Sequence, residues 1–167
     1  VMSYEISRTL DYRTRVVETP LGEASVEMIS DKVVLATILR AGLPLHQGFL
    51  NYFDDANNAF VSAYRKSSKG GKFTIKVEYI SSCNLEGKTL LLVDPMLATG
   101  ASLVMVYEAL VEKCGHPKHT HVASVIASEQ GVDYAKSHLP QHTTLWAAAV
   151  DEELTSKCYI VPGLGDA

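Results

Sequence analysis

Short apolar runs, each followed by a stretch with helical periodicity, constrain the fold of this chain most strongly. VVLATIL (Val33–Leu39) and TLLLVD (residues 89–94) are apolar runs of strand length, a pattern typical of strands buried on both faces of a parallel sheet. A helix is predicted over residues 44 to about 52, and LVMVYEALVEKCG predicts an amphipathic helix that ends at Gly115. Strands that alternate with helices predict the α/β class, with a doubly wound, mostly parallel sheet flanked by helices.

The rest of the chain continues this alternation and adds antiparallel hairpins. Residues 4–10 have a short helical pattern, and alternating runs on either side of Pro20, Leu21 and Gly22 predict a hairpin. FTIKVEYI (residues 73–80) alternates apolar and polar residues, which predicts an exposed hairpin arm. The other predicted elements are the strands AFVSAY and HVASVIA, the helix EQGVDYAKSH, and the strands TTLWAAAV and KCYIVP.

Length and charge limit the number of domains and the class of ligand. The 167 residues, 47% of them hydrophobic, predict a single compact domain over residues 1–167. Val1 precedes the first methionine and the chain closes on the turn-rich PGLGDA, so we expect truncation at both ends. A net charge of -4 gives no general attraction to a nucleic-acid backbone. A small phosphate ligand, held by local donors, is therefore expected rather than a nucleic acid.

The cysteines and the absence of long apolar runs bear on the compartment. Cys83, Cys114 and Cys158 are odd in number, far apart and without CxxC spacing, which indicates free thiols in a reducing environment. No apolar run approaches the ~20 residues that a membrane helix requires. We therefore expect a cytoplasmic protein without a membrane partner.

The segment VDPMLATGAS (residues 93–102) is the most informative for chemistry, because it lies where a buried strand passes into a helix. Its small residues allow close approach of the backbone to a ligand, while helix-start amides and the hydroxyls of Thr99 and Ser102 can donate to a phosphate. Asp94 could accept hydrogen bonds from sugar hydroxyls. A Walker loop is excluded because no GK[ST] follows. From shape alone, a strand end followed by a helix capped by Thr99 or Ser102 explains the segment equally well.

The residue string itself resembles a known family. VDPMLATG followed by a small residue and serine resembles the donor-binding loop of the uracil phosphoribosyltransferases. LRAGL (residues 39–43), AYR (residues 63–65) and YIVPGLGDA (residues 159–167) match further segments of that family in the same order. The resemblance covers nearly the whole chain. It implies a type I phosphoribosyltransferase-like fold with a protruding β-hairpin arm, and the transfer of a phosphoribosyl group from 5-phosphoribosyl 1-pyrophosphate to uracil.

The resemblance also implies roles for individual residues. Arg40 and Arg65 would contact the donor, and Mg²⁺ would share the charge of the departing pyrophosphate. Asp94, Arg65 and Asp166 are the implied catalytic residues. The implied donor site also includes Asp94, Pro95, Met96, Leu97, Ala98, Thr99, Gly100, Ala101, Ser102 and Asp166. The implied uracil site comprises Ile160, Gly165, Asp166 and Ala167. The resemblance further implies a homo-oligomer and GTP as a nucleotide ligand, and no metal ligands from the protein.

Simpler explanations exist for several of these residues. Without the resemblance, Arg40 is a surface arginine at a strand end, and Arg65 is a solvated residue that opens a basic loop. The family usually has glycine where Ala101 stands, so Ala101 would be strained if that position required positive φ. The HxH pair of His119 and His121 is expected on an exposed strand edge rather than in a zinc site. His46 is expected on a helix surface.

Three other functions are compatible with the same fold. The first is a phosphoribosyltransferase for another base such as a purine, which would require different residues from YIVPGLGDA. The second is a nucleotide-sensing regulator that binds RNA, which the net charge of -4 disfavours. The third is a truncated form that binds ligand without turnover.

The lysine-containing arm around Gly70 and Gly71 is expected to close over the donor.

Overall fold

The computed structural model describes residues 1–67 and 73–163, except for the side chains of residues 64–67 and 73–76. Four helices are present in this part of the chain: α1 (Met2–Ser7), α2 (Leu43–Leu50), α3 (Ala101–Cys114) and α4 (Glu129–His138). The strands are β1 (Tyr12–Thr19), β2 (Gly22–Ile29), β3 (Val33–Leu39), β4 (Asn57–Ser67), β5 (Phe73–Ser81), β6 (Thr89–Val93), β7 (Met96–Leu97), β8 (His119–Ser128), β9 (Thr143–Asp151), β10 (Glu153–Leu154) and β11 (Ile160–Val161).

The central sheet has the order β5-β4-β3-β6-β8, and both β7 and β9 pair with β8. All of these pairs are parallel except β4 with β5, which form the antiparallel arm. In parallel sheets the strands must be connected by crossovers, and here α2, α3 and α4 supply them. The predicted α/β class, doubly wound sheet and hairpin arm are confirmed.

Alternation along β3 explains how the sheet is covered on both faces. Val33 and Leu35 pack on one side, in a core that also contains Phe49 of α2 and Ile6 of α1. Val34, Ala36 and Ile38 point to the other side, into a core that contains Leu103, Val106 and Leu110 of α3. Because successive side chains of a strand face opposite ways, an uninterrupted apolar strand requires apolar cover on both faces.

Two small hairpins lie outside the central sheet. The β1–β2 hairpin pairs Tyr12 with Ile29 through to Thr19 with Gly22, as the alternating runs predict, and most of its residues are exposed. The predicted strand KCYIVP is shorter than expected, because Cys158 has a φ of 65° and the Cys158 amide donates to the Thr155 carbonyl in a turn. Only Ile160–Val161 remains as a strand, paired with β10. None of the helices in the described ranges is long and apolar enough to cross a membrane.

Candidate active site

The carboxyl ends of the parallel strands bring the predicted donor-binding residues to one edge of the sheet. Arg40 follows β3, and Asp94 follows β6, its neighbour in the sheet. Thr37 and Val93 are paired near these strand ends, and the buried Thr37 hydroxyl donates to the Val93 carbonyl at 3.3 Å. The two segments therefore leave the sheet side by side, at the edge where ligands bind in open α/β sheets.

The segment after β3 is shaped by a close backbone approach at Gly42. A Cβ on this residue would lie 2.0 Å from Thr37 Oγ1 and 2.6 Å from the Ile38 carbonyl oxygen, so only glycine fits. The Gly42 amide donates to the Ile38 carbonyl at 3.1 Å, which turns the chain tightly into α2. The Leu39–Arg40 peptide is cis, and Arg40 is exposed. An exposed guanidinium on a fixed turn at this edge can reach an anionic ligand.

Asp94 is a partly buried carboxylate at the tip of β6. Its amide donates to the Ala123 carbonyl of β8 at 3.1 Å, which fixes the residue at the edge of the sheet. Burial raises the pKa of the Asp94 carboxyl from 3.8 to about 6, and a hydrogen bond from the Met96 amide opposes part of that rise. A carboxylate that has lost water gains most from new hydrogen-bond donors, such as sugar hydroxyls.

The predicted phosphate-binding residues form the start of α3. Gly100 has a φ of 77° and is the N-cap, and Ala101 is the first helical residue. The Ala101 amide donates to Thr99 Oγ1 at 3.4 Å, whereas the amides of Ser102 and Leu103 have no hydrogen-bond partner in the described part of the chain. Unpaired amides at a helix start, together with the helix dipole, attract anions.

The structure decides the question of strain at Ala101. The positive φ falls on Gly100, which has no Cβ to clash, while Ala101 has helical geometry. Alanine is therefore accommodated without strain where the family usually has glycine. Pro95, Met96, Leu97 and Ala98 run along the end of β8, and Leu97 and Ala98 are buried.

The predicted uracil segment is described only in part. Ile160 is buried in β11, opposite Leu154, and the turn at Pro162 and Gly163 follows it. The Asp151 carboxylate, at the end of β9, accepts a hydrogen bond from the Gly163 amide at 3.0 Å. Gly165, Asp166 and Ala167, the side chain of Arg65, and the arm around Gly70 and Gly71 lie outside the described residues.

Sequence reasoning missed two residues that hold the site together, Asp151 and Ser128. Both are the last residues of parallel strands, β9 and β8, at the same edge of the sheet as Asp94. Their position at strand ends was the available signal. Asp151 anchors the segment that leads to the predicted uracil site, and Ser128 contacts the loop that contains Asp94.

Two histidines lie elsewhere than expected. His46 is buried rather than on a helix surface, since its Nε2 pairs with Asn58 Oδ1 at 2.7 Å and its ring packs on Phe60. His121 is also buried, because the Trp146 indole N–H donates to its Nδ1 at 3.1 Å. Burial lowers the pKa of His121 to about 4, so its imidazole is neutral.

The described residues are compatible with a magnesium ion that is carried by the donor's pyrophosphate. Across the described ranges, no three His, Cys, Asp or Glu side chains come together as a metal cage. Mg²⁺ typically needs only one or two carboxylates, the remaining ligands being water and substrate phosphates. An ion that is held mainly by the donor's pyrophosphate would not need a set of ligands from this chain.

Comparisons with known proteins show which family this chain resembles. The family model described as uracil phosphoribosyltransferase matches residues 1–167. A uracil phosphoribosyltransferase of Porphyromonas gingivalis is 57% identical over 167 residues, which is 100% of this chain and 77% of that protein. The AQ2163 protein from Aquifex aeolicus superposes with a TM-score of 0.88 at 27% identity, over 99% of this chain and 77% of that one.

A more distant structure supports the fold alone. A hypoxanthine phosphoribosyltransferase from Staphylococcus aureus superposes with a TM-score of 0.56 at 14% identity, over 75% of this chain and 65% of that chain. The fold is thus that of the type I phosphoribosyltransferases. From the family match over its whole length and the 57% identity, the chain belongs to the uracil phosphoribosyltransferase family.

Proposed function

We propose that this protein transfers the phosphoribosyl group of 5-phosphoribosyl 1-pyrophosphate to N1 of uracil, which yields UMP and pyrophosphate in pyrimidine salvage. One observation carries the proposal: the family's donor-binding segment, residues 93–102, lies at the carboxyl edge of the sheet with a partly buried carboxylate and unpaired helix-start amides. The N1–C1′ bond forms as the bond from C1′ to pyrophosphate breaks, pyrophosphate leaves with the electron pair of that bond, and N1 releases its proton.

The donor is held by residues of two neighbouring loops. Asp94 accepts hydrogen bonds from the ribose hydroxyls, and Thr99, Gly100, Ala101 and Ser102 surround the 5′-phosphate. Pro95, Met96, Leu97 and Ala98 form the wall that connects these two groups. Arg40 and Arg65 approach the pyrophosphate, where fixed positive charge stabilises a leaving group that becomes more negative. Mg²⁺ on the pyrophosphate shares that charge when it is bound.

The base is recognised by the segment after β11. Ile160, Gly165, Asp166 and Ala167 surround uracil, whose edge presents an acceptor, a donor and an acceptor, and Asp166 also approaches the donor. Backbone amides and a carbonyl match that pattern without any charged group. Cytosine would place its amino group against a backbone donor, and such polar mismatches can reduce turnover by ~10⁴ or more.

A direct assay tests the proposal. The protein is incubated with Mg²⁺, 5-phosphoribosyl 1-pyrophosphate and one free base at a time, and nucleoside monophosphate is measured by chromatography. UMP should form with uracil, and neither cytosine nor the purines should yield product at a comparable rate. Absence of UMP, or equal turnover of cytosine, would overturn the assignment.

A homo-oligomer is part of the same proposal. The β1–β2 hairpin exposes Val16, Val26 and Met28, and an isolated two-stranded hairpin is at best marginally stable in water. A second copy of the chain that covers this hairpin would stabilise it. Sedimentation equilibrium should give a multiple of the 18.2 kDa chain mass, and a monomer at micromolar concentration would contradict this part of the proposal.

Two further expectations accompany it. We propose a cytoplasmic location, which the unpaired thiols of Cys83, Cys114 and Cys158 support. GTP binding stays a prediction from the family resemblance, and equilibrium dialysis with labelled GTP would test it.

A further inference from the structure

The loop of residues 94–100, here called the donor loop, rests on the start of α4 through Ser128. Ser128 is fully buried at the end of β8 and is the N-cap of α4. Its hydroxyl donates to the Ala98 carbonyl at 2.5 Å and accepts from the Gly131 amide at 2.9 Å. One side chain therefore caps the helix and ties the donor loop to it.

The same contact is closed by two glycines that face each other. A Cβ on Gly131 would lie 2.3 Å from the Ala98 carbonyl oxygen and 2.7 Å from that of Leu97. A Cβ on Gly100 would lie 2.8 Å from the Gly131 carbonyl oxygen. The donor loop and the first turn of α4 thus meet backbone to backbone, at a separation that excludes any side chain at either glycine.

The donor loop is also fixed upstream of this contact. The Pro95 carbonyl accepts from the amides of Val125 and Ile126, both at 3.1 Å, and β7 then pairs in parallel with the end of β8. The hydrogen bond from Ser128 to Ala98 is the last one that connects the donor loop to the end of β8 before the chain turns at Gly100 into α3. The position of the unpaired amides at the start of α3 therefore depends on where Ser128 holds Ala98.

We propose that Ser128 and Gly131 form a seat that sets the position of the donor loop and thereby the affinity for the donor's 5′-phosphate. Neither residue is a catalytic residue; both are positioning residues that act through the Ala98 backbone. The inference rests on the proposed function for its substrate. The physical basis is preorganisation: donors that are already fixed in place bind an anion without a further loss of freedom.

The test compares Ser128→Ala with Ser137→Ala, a matched control on the same helix. The exposed Ser137 hydroxyl also bonds to helix carbonyls, those of Asp133 and Tyr134, but it does not contact the donor loop. Ser128→Ala should raise KM for the donor about tenfold, the effect of losing one buried hydrogen bond to the loop, and change KM for uracil much less. Ser128→Thr retains the hydroxyl and should restore the donor KM.

A second readout needs no turnover. In ligand-free protein, amide hydrogen exchange of the peptide that covers residues 96–103 should be faster in Ser128→Ala than in Ser137→Ala, while exchange in β3 stays equal. If Ser128→Ala does not fold, Ser128→Gly removes the same hydroxyl at an N-cap position where glycine is better tolerated than alanine, and it should give the same two changes. Equal amide exchange and equal donor KM in Ser128→Ala and Ser137→Ala would contradict the proposal that Ser128 positions the donor loop.

The two readouts separate this inference from the proposed function. If the unmodified protein forms no UMP while exchange in the donor loop still depends on Ser128, the proposed function is wrong, but the inference that Ser128 positions the donor loop is supported. If UMP forms but neither the donor KM nor the amide exchange changes in Ser128→Ala, the inference about Ser128 is wrong and the proposed function is supported.

Discussion

Replacing Asp94 with asparagine should stabilise the fold while it lowers activity. The pKa of this carboxyl is about 6 in the folded protein and 3.8 ordinarily, because burial disfavours the charged form. Each pH unit between the two values corresponds to about 1.4 kcal/mol, so ionising Asp94 in the folded protein costs about 3 kcal/mol. Asparagine has nearly the same shape, keeps an oxygen for the Met96 amide and carries no charge. Asp94→Asn should therefore raise the free energy of unfolding at pH 8, by up to about 3 kcal/mol.

The direction of the pH dependence follows from the same values. A carboxyl with a raised pKa holds its proton more tightly in the folded chain, so its stabilisation is present at low pH and is lost as the pH rises from 3.8 through 6. Relative to pH 8, the unmodified protein should regain about 1.4 kcal/mol from Asp94 at pH 5. Asp94→Asn has no such group, so the stability gap between the two proteins should narrow by that amount.

Urea unfolding of both proteins at pH 8 and pH 5 measures this gap. Other titrating groups are common to both proteins and cancel in the difference. Asp55→Asn, at an exposed carboxyl, is the matched control and should give a gap near zero at both pH values. A gap between the unmodified protein and Asp94→Asn that does not change with pH would refute the argument that Asp94 is desolvated.

The activity of the same variant connects this stability to function. If Asp94 accepts hydrogen bonds from the ribose hydroxyls, asparagine loses charge-assisted bonds, and kcat/KM for the donor should fall about 10- to 100-fold. A variant that is more stable and less active would indicate that the fold tolerates an unfavourable charge because the substrate requires it. Unchanged steady-state kinetics would place the ribose elsewhere.

Three further predictions concern other parts of the structure. Gly42→Ala should lower the free energy of unfolding by about 1–3 kcal/mol, because the added Cβ would clash with the end of β3. Gly48→Ala on α2 is the matched control: its added Cβ would have no atom within 4 Å, and it should raise the free energy of unfolding by up to about 1 kcal/mol in the same urea titrations. Because burial lowers the pKa of His121 to about 4, the unfolded chain binds this proton at a higher pH than the folded chain does, so the contribution of His121 to the free energy of unfolding should fall by about 3 kcal/mol as the pH drops from 6.5 to 4. Asp94 has the opposite dependence over this range, so the contribution is measured as the difference between the unmodified protein and His121→Gln, and a difference that does not change with pH would contradict it. Asp151→Ala frees the Gly163 amide and should raise KM for uracil but not for the donor, whereas equal changes in both would show a global effect.

The elements of the sheet could be predicted from the sequence because their signals are local. The uninterrupted apolar run of β3 predicts cover on both faces, and the observed strand has the predicted bounds, Val33–Leu39. The helix EQGVDYAKSH is likewise observed as Glu129–His138, with Ser128 as its cap. The segment that contains Asp94 was found by its residue string, and its place at a strand-to-helix turn follows from the periodicity on either side.

Contacts between distant segments could not be predicted in this way. His121 was expected on an exposed strand edge because an HxH pair without a third ligand is typical of such an edge, yet Trp146 of the neighbouring strand supplies a partner that allows its burial. Ser128 caps α4 in the structure, and its bond to Ala98 depends on how the donor loop folds back over β8. Local periodicity predicts the direction of the Ser128 side chain but not which carbonyl, here one 30 residues away, accepts its hydrogen bond.

Asp94 and the start of α3 lie at the carboxyl edge of the sheet, and their unfavourable features determine how substitutions there should behave. The Asp94 carboxyl is ionised although its burial disfavours the charge, and within the described residues the amides of Ser102 and Leu103 have no partner, while the cores on both faces of the sheet are apolar. A buried charge that lacks hydrogen-bond donors without ligand can be replaced by a neutral side chain, with a gain in stability and a loss of ligand binding. Ser128 is fully satisfied, so its removal should weaken both. The sign of the stability change therefore distinguishes residues that meet the donor from those that hold the loop in place.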